Sequence, residues 1–132
     1  EAAKVDEAAA YLTETAELFM PTFAIQDAEA RAKARQELCA GPLKEKFARM
    51  AEMIEAAGGE FLGGPKPGYP DFALFSFVSW LVCGAVDGMP SGLLDAHPAI
   101  KAHHNRVAAL PTVTKMYESV TEGPRLSYKP LP

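Results

Sequence analysis

The stretch Gly68-Tyr69-Pro70-Asp71-Phe72-Ala73-Leu74-Phe75-Ser76-Phe77-Val78-Ser79-Trp80-Leu81 decides the fold. With Gly68 as N-cap, Pro70 falls in the first helical turn, where a missing N–H costs nothing, and Asp71 falls at N3. From there its carboxylate can accept from the N-cap backbone N–H and meets the positive end of the helix dipole. The residues that follow, as far as Val86, are apolar nearly all round and interrupted by Ser76, Ser79 and Gly84. Such a segment is expected as a central helix with neighbours on several sides. It falls short of the roughly 18 to 20 uninterrupted apolar residues that span a bilayer.

Upstream, the chain from Ala2 to Met20 is rich in Ala and Glu, with Val5, Ala9, Leu12, Ala16 and Phe19 recurring on one face. This spacing predicts a helix that Pro21 ends or kinks. Met20 to Ile25 then make an apolar connection that should pack against something. A second helical stretch starts at Asp27, an N-cap candidate, and runs to Ala57 before Gly58 and Gly59. Gly41-Pro42 divides it into a bent helix or two helices. Leu43, Phe47, Met50 and Ile54 form the inward stripe of its second part, and Lys44, Glu45, Arg49, Glu52 and Glu55 its solvent side. Gly63 to Pro70 is a turn-rich loop whose interleaved prolines, with no strand before them, exclude a phosphate cradle.

Downstream of the Met89-Pro90 break, Pro98 opens a helix with Ile100, Val107 and Leu110 inside, and Pro111 begins a short last helix containing Val113, Met116 and Tyr117. The tail from Gly123 carries three prolines and no periodicity, and is expected to be extended or irregular. Striped helices must bury their faces against one another, so the expected fold class is all-α, a bundle of five or six helices.

Composition excludes several functions. The 132 residues suffice for one domain, and 48% hydrophobic with 23% charged residues is ordinary for a globular protein. A net charge of -4 offers no positive field for a nucleic-acid backbone or an anionic membrane. Cys39 and Cys83 are far apart and outside any zinc-binding spacing, and read as buried thiols of a reducing, cytoplasmic compartment. No metal site is expected. His97, His103 and His104 read as exposed or capping residues, because adjacent histidines point to different faces of a helix. The chain opens at Glu1, already within a helical pattern, as a fragment of a longer protein would.

Gly68 to Pro111 resembles the C-terminal domain of the cytosolic glutathione transferases, most closely the sigma class with its prostaglandin D synthase and S-crystallin relatives. FLGGPKPGYPDFALF is similar to that family's loop-to-helix motif with an aspartate third in the central helix. LLDAHPAIKAHHNRVAALPTVTKMY is similar to its closing stretch, and VDEAAAYLTE to the start of its first helix. The likeness covers almost the whole chain and is least constrained at 21–27 and the last ten residues. The family usually has Ser or Thr where this chain has Gly68, a loss of a few tenths of a kcal/mol at most, on the order of the usual Ser-to-Gly cap difference.

The resemblance implies a domain that shapes an apolar substrate site and joins a two-fold dimer. A thioredoxin-like N-terminal domain, absent from this chain, binds glutathione and presents the hydroxyl or thiol that stabilises its thiolate. No catalytic residue is therefore expected here, and glutathione enters as co-substrate of the full protein rather than as a cofactor of this chain. Glu14 falls where many members carry an acid reaching across the dimer to the glutathione ammonium, a charge-assisted contact; alternatively it is a solvated acid on an Ala-rich helix. Ala16, Met20, Phe23, Ala73, Phe77 and Trp80 have the phase to line the apolar site, and the same spacing also describes a plain core. Gly68 and Asp71 are structural caps. The competing function is a non-catalytic ligand-binding, crystallin-like or assembly module of the same fold, to be distinguished by the complete reading frame.

Overall fold

The computed structural model describes residues 2–132; Glu1, on which the reading of the chain's start rests, lies outside the described residues. The fold is an all-α bundle of α1 (Ala2–Glu17), α2 (Ala28–Ala40), α3 (Pro42–Ala56), α4 (Tyr69–Leu81), α5 (Pro98–Ala108) and α6 (Pro111–Tyr117). Short 3-10 turns occupy Met20–Ala24, Leu93–Ala96 and Pro124–Tyr128. The Gly41-Pro42 interruption resolves as two helices: Gly41 closes α2 on the Glu37 carbonyl, and Pro42 starts α3 at a position that needs no N–H donor. Asp27 caps α2, accepting from the Ala30 N–H at 2.8 Å.

Helix α4 is the rod of the bundle, packed between α1, α5 and the Pro124–Tyr128 turn. Leu74, Val78 and Leu81 meet Leu12, Phe19, Leu43, Phe47, Met50 and Ile100 in the main core. A second cluster joins Phe61 and Phe75 to Val107, Ala108 and Val113. Complete burial of each such side chain contributes about 1.5 to 3 kcal/mol.

Three expectations are corrected. Helix α4 stops at Leu81 and does not continue to Val86, because Gly84 takes a left-handed φ of 85° and turns the chain toward the α4–α5 connection. Of the expected α1 stripe Leu12 and Phe19 are buried, but Ala8 and Thr15 complete the buried side, and Val5, Ala9 and Ala16 are only half-buried. Thr15 tolerates burial because its hydroxyl donates to the Tyr11 carbonyl at 2.7 Å. The proline-rich tail is not irregular throughout: Pro124–Tyr128 forms a turn of 3-10 helix that Ser127 closes on Pro124 and that lies against α4.

Candidate functional site

Five aromatic side chains meet where α1 ends and α4 passes beneath it. Phe19, wholly buried, sits edge-on to Phe77 and Trp80 with ring centroids at 6.2 and 6.3 Å. Phe47 of α3 closes the inner side against Phe77 at 6.5 Å. Phe23 stacks on Trp80 at 5.9 Å from the outside. Edge-on and offset geometries of this kind add to area burial because ring edges are positive and faces negative.

The six expected site residues divide between the two readings of their spacing. Phe77 and Trp80 are half-buried and pack against the core while keeping a free edge. Ala16 and Ala73 are half-buried on α1 and α4, two helices in direct contact. Met20 and Phe23, at 61% and 51% exposure, are the outward apolar members. The structure thus joins Phe23, Phe77 and Trp80 in one aromatic patch. Beyond Trp80 an open recess of about 530 Å³ continues between Cys83, Met116, Tyr117 and Tyr128.

The 3-10 turn that carries Met20 and Phe23 has little core of its own, since Thr22 alone is buried in it. It is gripped by two arginines one turn apart on α2. Arg35 is 1% exposed. Its Nε donates to Thr22 Oγ1 at 3.0 Å, its Nη1 donates to the Asp87 carboxylate and carbonyl at 2.7 and 2.8 Å, and its guanidinium lies 4.5 Å above the Phe23 ring. Arg31 donates to the Ile25 carbonyl at 2.8 Å and to Asp87 Oδ2 at 2.9 Å. The bond from Arg31 holds the Asp87 carboxyl below its ordinary pKa; desolvation pushes the other way, and the Arg35 bond and the charges of both arginines leave the net shift downward.

Asp87 reaches α2 because Gly88 lets the two backbones touch. Gly88 has a φ of 76°, and a Cβ placed on it would lie 2.5 Å from the Ala32 Cα. Gly88→Ala is expected to lose about 2 to 4 kcal/mol, from left-handed strain together with overpacking. A denaturant melt reads this directly, and a loss below about 0.5 kcal/mol, the size of an ordinary surface change, would contradict the close approach.

At the opposite side of α4, Asp71 is wholly buried and takes four donors. Oδ1 accepts from the Leu62 N–H at 2.6 Å and from His103 Nε2 at 2.8 Å; Oδ2 accepts from the N–H groups of Gly68 at 2.8 Å and Gly63 at 3.0 Å. Burial alone would push this carboxyl up. The bond from His103 and those from Gly68, Leu62 and Gly63 outweigh it and hold the pKa below the usual carboxylate value. Asp71 thus ties the start of α4 to the preceding loop and to α5.

The reading of His103 and His104 as exposed or locally capping residues is overturned, for both are wholly buried and bond to distant segments. His104 Nε2 donates to the Ser127 carbonyl at 2.8 Å and lies 2.9 Å from Ser79 Oγ, so α5 holds α4 and the tail together. Neighbouring residues project about 100° apart on a helix, and α5 is covered on both of those sides. Only His97 keeps partial exposure, with Phe47 5.0 Å from its ring. Cys39 is buried, which pushes its thiol pKa up to about 11, whereas Cys83 is half-exposed, contrary to expectation.

Glu14 projects from α1 into solvent at 65% side-chain exposure, and its Oε2 meets Lys46 Nζ of α3 at 3.0 Å. Lys46 also lies 4.2 Å above the Tyr11 ring. The Lys46 side chain is 19% exposed, so the pair reaches solvent on its Glu14 side. Among the described residues no group of three or more His, Cys, Asp or Glu side chains could hold a metal ion, and no helix is long and apolar enough to cross a membrane.

Arg31, Arg35, Asp87, His103 and His104 escaped the sequence reading as structural determinants. All of them act on the two ends of α4 or on the turn beside Trp80. No curated protein and no solved structure matches the chain. Residues 13–120 match the family described as Glutathione S-transferase, C-terminal domain, a span that takes in the Phe23–Trp80 patch, the Arg35 clamp and the Asp71 cap. On that match, which covers well over half of the chain, and on the all-α bundle, the chain belongs to the glutathione S-transferase C-terminal domain family.

Proposed function

We propose that this chain is the apolar-site and dimer-forming half of a sigma-like glutathione transferase that conjugates glutathione to apolar electrophiles. The observation that carries the reading is the aromatic patch: Phe23 and Met20 stand in solvent beside the half-buried Trp80 and Phe77. A monomeric domain gains nothing from exposed aromatic rings of its own, whereas an apolar substrate buries them. The class proposal is supported by the LLDAHPAI to TKMY stretch.

In this reading a thioredoxin-like domain supplies glutathione and the group that stabilises its thiolate. Glu14 releases Lys46 and meets the glutathione ammonium of the other subunit in a charge-assisted contact. The protein acts in the cytoplasm.

Trp80 is the single tryptophan, so binding at the patch has its own signal. Titration of the chain with an aryl halide electrophile is expected to quench Trp80 emission saturably, with no conjugation of glutathione above the buffer rate. Linear, non-saturating quenching would refute the apolar site. Conjugation by this chain alone would refute the division of labour between the two domains.

A further inference from the structure

We infer that Arg35 is a positioning residue for the apolar site: anchored by Asp87, it sets the Met20–Ala24 turn so that Phe23 lies against Trp80. The inference rests on the reading of the patch as a ligand site and adds what controls its shape.

A guanidinium is costly to bury, and a buried ion pair is weak evidence for stability because desolvation offsets its attraction. Arg35 is nevertheless almost fully enclosed, and each of its contacts ends on something different. Thr22 Oγ1 and the Phe23 ring belong to the turn; the carboxylate and carbonyl of Asp87 belong to the α4–α5 connection. A planar fork with several donors can bridge these elements at once, which an ammonium on a flexible stem cannot do. Arg31 adds the Ile25 carbonyl at the end of the same turn. Four of the five turn residues, Met20, Pro21, Phe23 and Ala24, are exposed, so beyond its buried N-cap Phe19 the turn has no apolar anchor to hold Phe23 if the clamp is cut.

Cutting the clamp leaves few groups stranded. Thr22 still donates to the Phe19 carbonyl at 2.6 Å, and Asp87 keeps Arg31 at 2.7 Å. Arg35→Met fills similar volume without the charge, so the bundle should keep its helical content and most of its melting temperature while Phe23 loses its place. Positioning and global stability therefore separate in this variant.

The test reads Trp80 emission and the binding of naphthalene in the wild type, Arg35→Met, Phe23→Leu and the double variant. Each single change is expected to move Trp80 emission to longer wavelength and to weaken naphthalene binding about threefold to tenfold, the range of one lost ring or cation contact. The double variant should show no more than the larger single effect, because both changes remove the same stacked ring. Unchanged emission in Arg35→Met, or additive effects in the double variant, would overturn the proposal. Should Arg35→Met lose helical signal, Asp87→Asn, which weakens the anchor from a half-exposed position, is expected to give the same emission shift, and its failure to do so overturns the proposal equally. If the wild type does not bind naphthalene, the ligand-site reading fails by itself, and the emission cycle still decides whether Arg35 sets the turn.

Discussion

Asp71→Ala is expected to lower folding stability by about 3 to 5 kcal/mol, the cost of removing one partner from a buried charged cluster. The change strands the N–H groups of Leu62, Gly63 and Gly68 and the His103 ring, which face a space that is wholly buried. Single domains have a total stability of about 5 to 15 kcal/mol, so the variant should be near the limit of folding at 25 °C. The urea midpoint at neutral pH reads it, and a loss below about 1 kcal/mol would show that water or local rearrangement satisfies those donors.

Asp71→Asn extends the prediction to pH. The folded pKa of Asp71 lies below its unfolded value, so the stability it contributes is fully present above about pH 4 to 5, where the unfolded carboxyl is ionised. That contribution is lost as pH falls through the folded pKa. The gap in stability between wild type and Asp71→Asn should therefore be constant near neutrality and close on acidification. A gap that persists unchanged well below the folded pKa would mean that the cap acts through shape alone.

The sequence made the Asp71 cap legible because every element of it is local: Gly68, Pro70 and Asp71 lie within one turn, and helix-end chemistry has a fixed spacing. The inward stripe of α3 was legible for the same reason, and Leu43, Phe47, Met50 and Ile54 are all buried. His103 was not, since its partner is 32 residues away and the spacing of a helix says nothing of which neighbour covers it. Arg35 was hidden more deeply. The segment Ala28–Ala40 is polar and carries charges of both signs, the pattern of a solvated face, and only the approach of Asp87 across Gly88 turns one of its arginines inward. The aromatic patch was half legible: helical phase put Phe77 and Trp80 on one side of α4, but phase cannot say which ring faces the core and which keeps an edge in solvent.

Phe19→Ala is expected to cost about 3 to 5 kcal/mol, the range for removing a fully buried aromatic ring. Phe19 is 0% exposed and lies behind the patch, between Phe77 and Trp80, so its loss leaves a hole walled by rings and by Leu and Met side chains of the main core. A hole of that chemistry stays dry, because water there finds no polar partners, and it suits an apolar guest of the size removed. Benzene should therefore raise the melting temperature of Phe19→Ala, by binding the folded state alone, and leave the wild type nearly unchanged. Trp80 emission should report the same event, since its ring stands 6.3 Å from the one deleted. A loss of about 1 kcal/mol or less with no response to benzene would mean that α1 and α4 collapse into the space, in which case Phe19 is filler and the position of Trp80 is set by the outer turn and its arginines.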